Sequence, residues 1–259
     1  NMMIIILILA AVLRLSFIGS FPSGLNADEA ALGYNAYSLM LTGRDEHGHA
    51  WPINLESFGD FKPAFYAYML IPFIKIFGLT EFAVRLPSVI FGILGVWGIY
   101  LLCKYLTPNP SPNLGEGNER GEVLGRIAAL LLTISPWHLH FSRGAWEVNV
   151  ATTLLIFAVW LALKSRYALS IMLLALSMYT YQSTRLIAPL LGLVVIPKKL
   201  KYLAFSGILI LPLAYSLLTS NAGSRLSGVG LLADSGPENR SIELRGQHKE
   251  WNTIFVRLL

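Results

Sequence analysis

Asp28 and Lys62 are the residues of this chain whose type and surroundings best suit moving a proton and holding a phosphate. Asn26-Ala27-Asp28-Glu29 reads as a helix start: Asn26 is a good N-cap and Glu29 stands three residues later, as in a capping box. Gly43 closes that helix about four turns on. Asp28 and Glu29 fall in its first turn, where the helix dipole favours negative charge. Capping alone is the competing reading, and it explains Glu29 better than Asp28. An ionised aspartate at a membrane surface can instead act as a general base or a metal ligand. In Phe58-Gly59-Asp60-Phe61-Lys62-Pro63, proline favours the first position of a following apolar helix. Lys62 then stands beside a helix N-terminus, and both attract phosphate. A lysine snorkelling to an interface is the alternative. The phosphate reading gains from Arg85 and Arg143, which the topology below puts on the same face.

Two further clusters carry polar side chains between apolar runs. In Ser135–Glu147, Trp137 and Trp146 read as interfacial belt residues. Arg143 and Glu147 are four apart, so a one-turn salt bridge competes with a role for Glu147 as a second acid facing Asp28. His138 and His140 are two apart and would not share a helix face, which argues against a zinc pair. In Tyr179–Arg185, the two aromatics Tyr179 and Tyr181, with polar neighbours up to Arg185, suit either an interface belt or sugar stacking.

These clusters need a scaffold, and the composition says what kind. Of 259 residues, 54% are hydrophobic and 14% charged, whereas a soluble domain has about a quarter charged. Long apolar runs cover residues 2–18, 82–103, 127–134, 148–163, 168–178, 186–196 and 202–218. The expected fold is an all-α integral membrane protein: a multi-span helical bundle whose first external loop contains a juxtamembrane helix. The first run lacks a basic leader and a small-x-small cleavage site, so it reads as a retained span. The single cysteine, Cys103, excludes an intrachain disulfide framework. The net charge of +5 does not point to nucleic acid, because the basic residues sit in short loops where they set orientation.

Lys164-Ser165-Arg166 and Lys198-Lys199-Leu200-Lys201 are the densest short basic loops and are expected on the cytoplasmic side. Counting spans from there puts the 20–62 loop and residues 135–147 outside, provided that 63–78 does not fully cross. That segment is expected to lie as a juxtamembrane or re-entrant helix against the bundle. The 20–62 loop has six acids and two bases, in keeping with an external position. Residues 104–123 read as a flexible cytoplasmic linker, rich in Pro, Gly and Asn over 107–122. Residues 1–219 form the expected membrane core. Residues 220–259 read as an external loop, and the abrupt end on Phe255-Val256-Arg257-Leu258-Leu259 reads as a truncation.

Asp28-Glu29-Ala30 with Gly33-Tyr34, the Phe58–Pro63 block, the Phe82–Ser88 block, Ser135-Pro136-Trp137-His138 with Ser142-Arg143, and Tyr179-Thr180-Tyr181 with Arg185 and Pro189 resemble a known family in order and spacing. They look like bacterial multi-span glycosyltransferases of the GT-C fold, nearest to the protein O-mannosyltransferase and aminoarabinose transferase group (glycosyltransferase family 39-like). The resemblance covers nearly the whole chain. It implies a polyprenyl-phosphate-linked sugar donor and a protein, lipid or glycan acceptor. It also implies catalysis on the non-cytoplasmic face of the plasma (inner) membrane. The family's first external acid matches Asp28 and its Lys-Pro element matches Lys62-Pro63. Its second external acid, usually Asp, corresponds to Glu147. Glu29, Asp60, Tyr181 and Arg185 take supporting places. Use of a divalent metal varies across related enzymes, so no cofactor follows. The family's later spans and any C-terminal soluble domain lie outside this chain, which reads as an N-terminal half that need not act alone.

A transporter or flippase of a lipid-linked or anionic substrate is the alternative, since such proteins also keep polar groups in the membrane. Against it, the apolar runs carry almost no charge and show no inverted repeat. A non-catalytic scaffold is a third class, for which Asp28 and Lys62 would have no use.

Overall fold

The computed structural model describes residues 2–57, 60–107 and 119–219. The central part of the expected linker and the whole of the expected 220–259 loop lie outside them. The described residues form ten helices and one short hairpin, an all-α membrane architecture. The order is α1 (Met2–Leu15), α2 (Ala27–Thr42), β1 (Asn54–Ser57), β2 (Asp60–Pro63), α3 (Phe65–Phe77) and α4 (Glu81–Leu106). Then follow α5 (Glu119–Ile134), α6 (Pro136–Arg143), α7 (Glu147–Leu163), α8 (Tyr167–Met178), α9 (Thr184–Val195) and α10 (Leu200–Thr219).

The longest helix, α4, is the axis of the bundle, and α1, α3, α5, α6 and α7 all pack on it. Small residues make this possible. A Cβ on Gly92 would come within 2.4 Å of the Ser142 Cβ, and one on Gly125 within 2.8 Å of the Tyr100 carbonyl. Without a water-driven force between helices in lipid, such close approach is what holds them together. A core of Leu32, Tyr66, Leu70, Val84 and Val150 joins α2, α3, α4 and α7. The outer surface is apolar as well: Ile4, Ile5 and Ile8 on α1, Leu186, Leu190 and Val194 on α9, and Leu203 and Ile208 on α10 are exposed. Polar surface is the rule for soluble helices, so this face is made for lipid.

The two ends of the bundle differ. At one end Tyr105 donates to the Leu163 carbonyl at 2.7 Å, Lys164 lies over the Tyr105 ring, and Tyr167 packs edge-on against Tyr202. Glu122 pairs there with Lys104 and Arg126. These pairs hold the helical backbone through 104–106 and 119–123, so the expected linker is shorter than 104–123 at both ends. The other end holds α2, the hairpin, α6 and the first residues of α4 and α7.

Helix α3 joins two points of that second end. Its first N–H, on Phe65, bonds the Tyr179 carbonyl just after α8. Its last ring, Phe77, packs edge-on against Phe82 at the start of α4. At 13 residues it is about 20 Å long, short of the roughly 30 Å hydrocarbon core. That length and these two ties fit the juxtamembrane course expected for residues 63–78.

Among the described residues, α4 and α10 are long and apolar enough to cross a bilayer alone. Helices α6 and α7 reach that length only as a pair, bent by 114°. Helices α8 and α9, read above as spans, have 12 residues each. They match the apolar runs 168–178 and 186–196 to within two residues, and between them the Thr180 and Thr184 hydroxyls donate back to the Leu176 and Ser177 carbonyls.

This arrangement predicts a labelling pattern. With Cys103 removed, cysteines at Ala50 and His140, both exposed, should react with impermeant reagent from one side of the membrane. Cysteines at Ser165 and Lys199 should react only from the other. Labelling of positions 50 and 140 from opposite sides would overturn the topology.

Candidate functional site

The start of α2 is built as a capping box. The Asn26 side chain accepts the Glu29 N–H at 2.9 Å, and the Glu29 carboxylate accepts the Asn26 N–H at 3.1 Å. Gly43, in the left-handed region at φ 68°, ends the helix and donates to the Leu39 carbonyl. Glu29 does more than cap. Its Oε1 accepts the Ala145 N–H at 2.8 Å and Arg85 Nε at 2.9 Å, and its Oε2 accepts an Arg85 terminal nitrogen at 3.0 Å. Burial by itself would raise the Glu29 carboxyl. The hydrogen bonds from Arg85, Ala145 and Asn26, together with the Arg85 charge, outweigh it and hold the group below its usual range.

Arg85 is fully buried. Two of its five N–H groups go to Glu29, and the other three go to the carbonyls of Ile18, Pro22 and Gly24. A guanidinium has five donors, so none remains for a ligand. Arg85, expected as a donor-phosphate contact, serves here as a clamp that joins α2, α4 and the 18–24 segment. Arg143 has similar work: it donates to the carbonyls of Leu13 at 2.7 Å, Ser16 at 2.8 Å and Phe21 at 3.2 Å.

One residue before Glu29, Asp28 faces the other way. Its carboxylate is in contact with Lys62 Nζ. The Asp28 side chain is 43% exposed and that of Lys62 16%, so the pair sits at the edge of the protein, open to a ligand. The hairpin puts Lys62 there. Lys62 is opposite Leu55 and Pro63 is opposite Asn54. Facing residues of an antiparallel pair share a side, so Lys62 points the same way as Leu55, which is 2% exposed. The opposite side is held by the α8–α9 joint, where Arg185 donates to Asn54 Oδ1 at 2.6 Å and to Gln182 Oε1 at 3.1 Å. Gln182 in turn donates to the Phe61 carbonyl.

Glu147 opens α7 and is 9% exposed. It lies two residues beyond Ala145, whose N–H binds Glu29, so the α6–α7 bend brings it to the same end. Tyr66 feels the charge of both acids. Burial first, then the charges of Glu147 and Glu29, push its hydroxyl well above the ordinary range, and it donates to the Val84 carbonyl at 3.0 Å. The bend is tight at Gly144, where a Cβ would lie 2.6 Å from the Trp146 indole nitrogen and 3.4 Å from Glu29 Oε1.

The structure thus brings Asp28, Lys62, Glu29, Arg85, Arg143 and Glu147 to one end. Arg185 reaches the site through the hairpin, and Tyr181 is half-buried in the same joint. Asp60 pairs through its backbone with Ser57, and its side chain lies outside what the structure describes. Among the described residues, no group of three or more His, Cys, Asp or Glu side chains could hold a metal ion.

Sequence reasoning missed one pair. Arg14, fully buried in the first apolar run, contacts His138 Nδ1 at 2.7 Å and donates to the carbonyls of Ala10, Leu132 and Thr133. It ties α1 to the end of α5 and to α6. The signal was available, since an arginine within an apolar run needs a partner.

No curated protein and no solved structure is matched by this chain. A family profile described as dolichyl-phosphate-mannose-protein mannosyltransferase matches residues 61–114, a stretch that includes Lys62, α3 and α4 but neither Asp28 nor Glu147. Over that stretch the match supports the group that the motifs resemble, membrane glycosyltransferases of the GT-C type.

Proposed function

We propose that this chain carries the catalytic end of a membrane glycosyltransferase that takes a sugar from a polyprenyl-phosphate donor and gives it to an acceptor hydroxyl on the non-cytoplasmic face. The observation that carries this reading is the Asp28–Lys62 contact. The two residues are 34 positions apart and meet at the edge of an apolar bundle, where a lipid phosphate would lie. Lys62 holds the donor phosphate. The acceptor oxygen attacks the anomeric carbon, Asp28 takes the hydroxyl proton, and the bond from that carbon to the phosphate oxygen breaks. The charge gathering on the departing phosphate is balanced by Lys62. Without donor, Lys62 is engaged by Asp28. An arriving phosphate competes for the lysine and leaves Asp28 free to act as base. Glu147 is the second acid of the site, and Arg143, Arg85, Glu29 and Arg185 fix the segments around it.

Labelled polyprenyl-phosphate sugars, incubated with membranes containing the protein, should yield a labelled acceptor. Lys62→Met keeps the apolar stem and removes the charge. A lost charge-assisted contact is worth roughly 1.5–3 kcal/mol, so donor affinity should fall by about one to two decades. Lys62→Arg should retain part of the binding. A snorkelling lysine would instead make Lys62→Arg fully active and Lys62→Met only mildly unstable. Unchanged donor affinity in Lys62→Met would remove Lys62 from the site.

A further inference from the structure

Helices α8, α9 and α10 enclose a groove of about 240 Å³. Its walls are apolar, with Leu174 from α8, Ala188 and Gly192 from α9 and Ile210 from α10. Its polar lining is Lys198 and Tyr202 near the α9–α10 joint and Ser206 on α10, whose hydroxyl donates to the Leu203 carbonyl. The Tyr202 ring is fixed as a wall by the edge-on Tyr167 ring at 5.3 Å and by Lys201, whose Nζ lies 4.9 Å from the ring centroid. Lys198, Lys199 and Lys201 are all exposed, and no acidic residue stands between Leu163 and Leu218.

We propose that this groove binds one anionic diacyl phospholipid of the surrounding leaflet, an acyl chain between α8, α9 and α10 and its phosphate headgroup against Lys198, Lys199 and Lys201. The shape suits a chain, because a slot lined by apolar side chains along three helices offers nothing to a polar solute. The charge selects the headgroup: a basic cluster beside a gap between membrane helices attracts an anionic lipid. A zwitterionic lipid could use the slot but not the cluster. The site is distinct from the Asp28–Lys62 end and does not depend on the reaction proposed there.

Mass spectrometry of the intact protein released from detergent, with dioleoyl phosphatidylglycerol and dioleoyl phosphatidylcholine supplied in equal amounts, tests this. Phosphatidylglycerol should be retained with at least about tenfold preference. Lys198→Gln, Lys199→Gln and Lys201→Gln combined should bring the two lipids to parity while one lipid remains bound. Gly192→Leu, which places a side chain in the slot, should lower retention of both lipids, with helix content checked by circular dichroism in each variant. Equal retention of the two lipids by the unmodified protein would overturn the proposal. So would a preference that survives the triple change, or full retention in Gly192→Leu.

Discussion

Asp28→Asn should leave the protein folded and able to bind donor while turnover falls by about 10²–10⁴, the usual contribution of a general base. The substitution keeps the shape of the side chain. It does not disturb the cap, which belongs to Asn26 and Glu29. It breaks only the contact with Lys62, and a pair this exposed is worth at most about 1 kcal/mol of stability. Donor affinity should be unchanged or slightly higher, because Lys62 no longer has a carboxylate neighbour competing with phosphate. Single-turnover measurements with donor prebound separate the two effects. If Asp28 merely supports the helix start, Asn serves as well and turnover is normal. That outcome would withdraw the central assignment. Loss of donor binding together with turnover would make Asp28 a positioning group instead.

The largest stability effect is expected at Arg85. Arg85→Met leaves Glu29 buried without its cation and three carbonyls without donors, which should cost about 3–5 kcal/mol. Thermal unfolding in detergent should show it as a drop in apparent Tm far larger than that of Lys62→Met. Pairing the change with Glu29→Gln should recover part of the loss, since no uncompensated charge is then buried. If Arg85 were a donor ligand, Arg85→Met would instead lower donor affinity at near-normal Tm. Acid provides a second reading of the same pair. The folded-state Glu29 carboxyl is depressed below 4.5, so its stabilisation is present above that value and is lost as pH falls from there through the lowered folded value. Glu29→Gln should flatten the acid limb of the stability profile.

The clamp was hard to read from sequence because its partners are remote. Arg85 binds carbonyls 61 to 67 residues earlier and a carboxylate 56 residues earlier, and main-chain acceptors carry no sequence signal. Read locally, an arginine near a helix start in the Phe82–Ser88 block suggests a ligand contact instead. The capping box at Asn26 and Glu29 was legible, because its geometry is local and its spacing fixed. The extents of α8 and α9 were legible too, since the apolar runs 168–178 and 186–196 lie within two residues of them. The hairpin was missed. Its strands have four residues each, too few for an alternating pattern to stand out beside a loop.

The hairpin has a consequence for how this site can change. Its two sides do different jobs: Leu55 and Lys62 face α2, while the Asn54 side is gripped by Arg185. Side chains alternate along a strand, so a slip of one position would swap the sides. Lys62 would then be carried to the Arg185 side, like charge against like, and Asp28 would lose its partner. The ribbon therefore counts by parity. Even shifts of register conserve the side on which the cation stands, and odd shifts abolish it. The site passes from one state to the other without intermediates, and Arg185, gripping the Asn54 side, disfavours the odd ones.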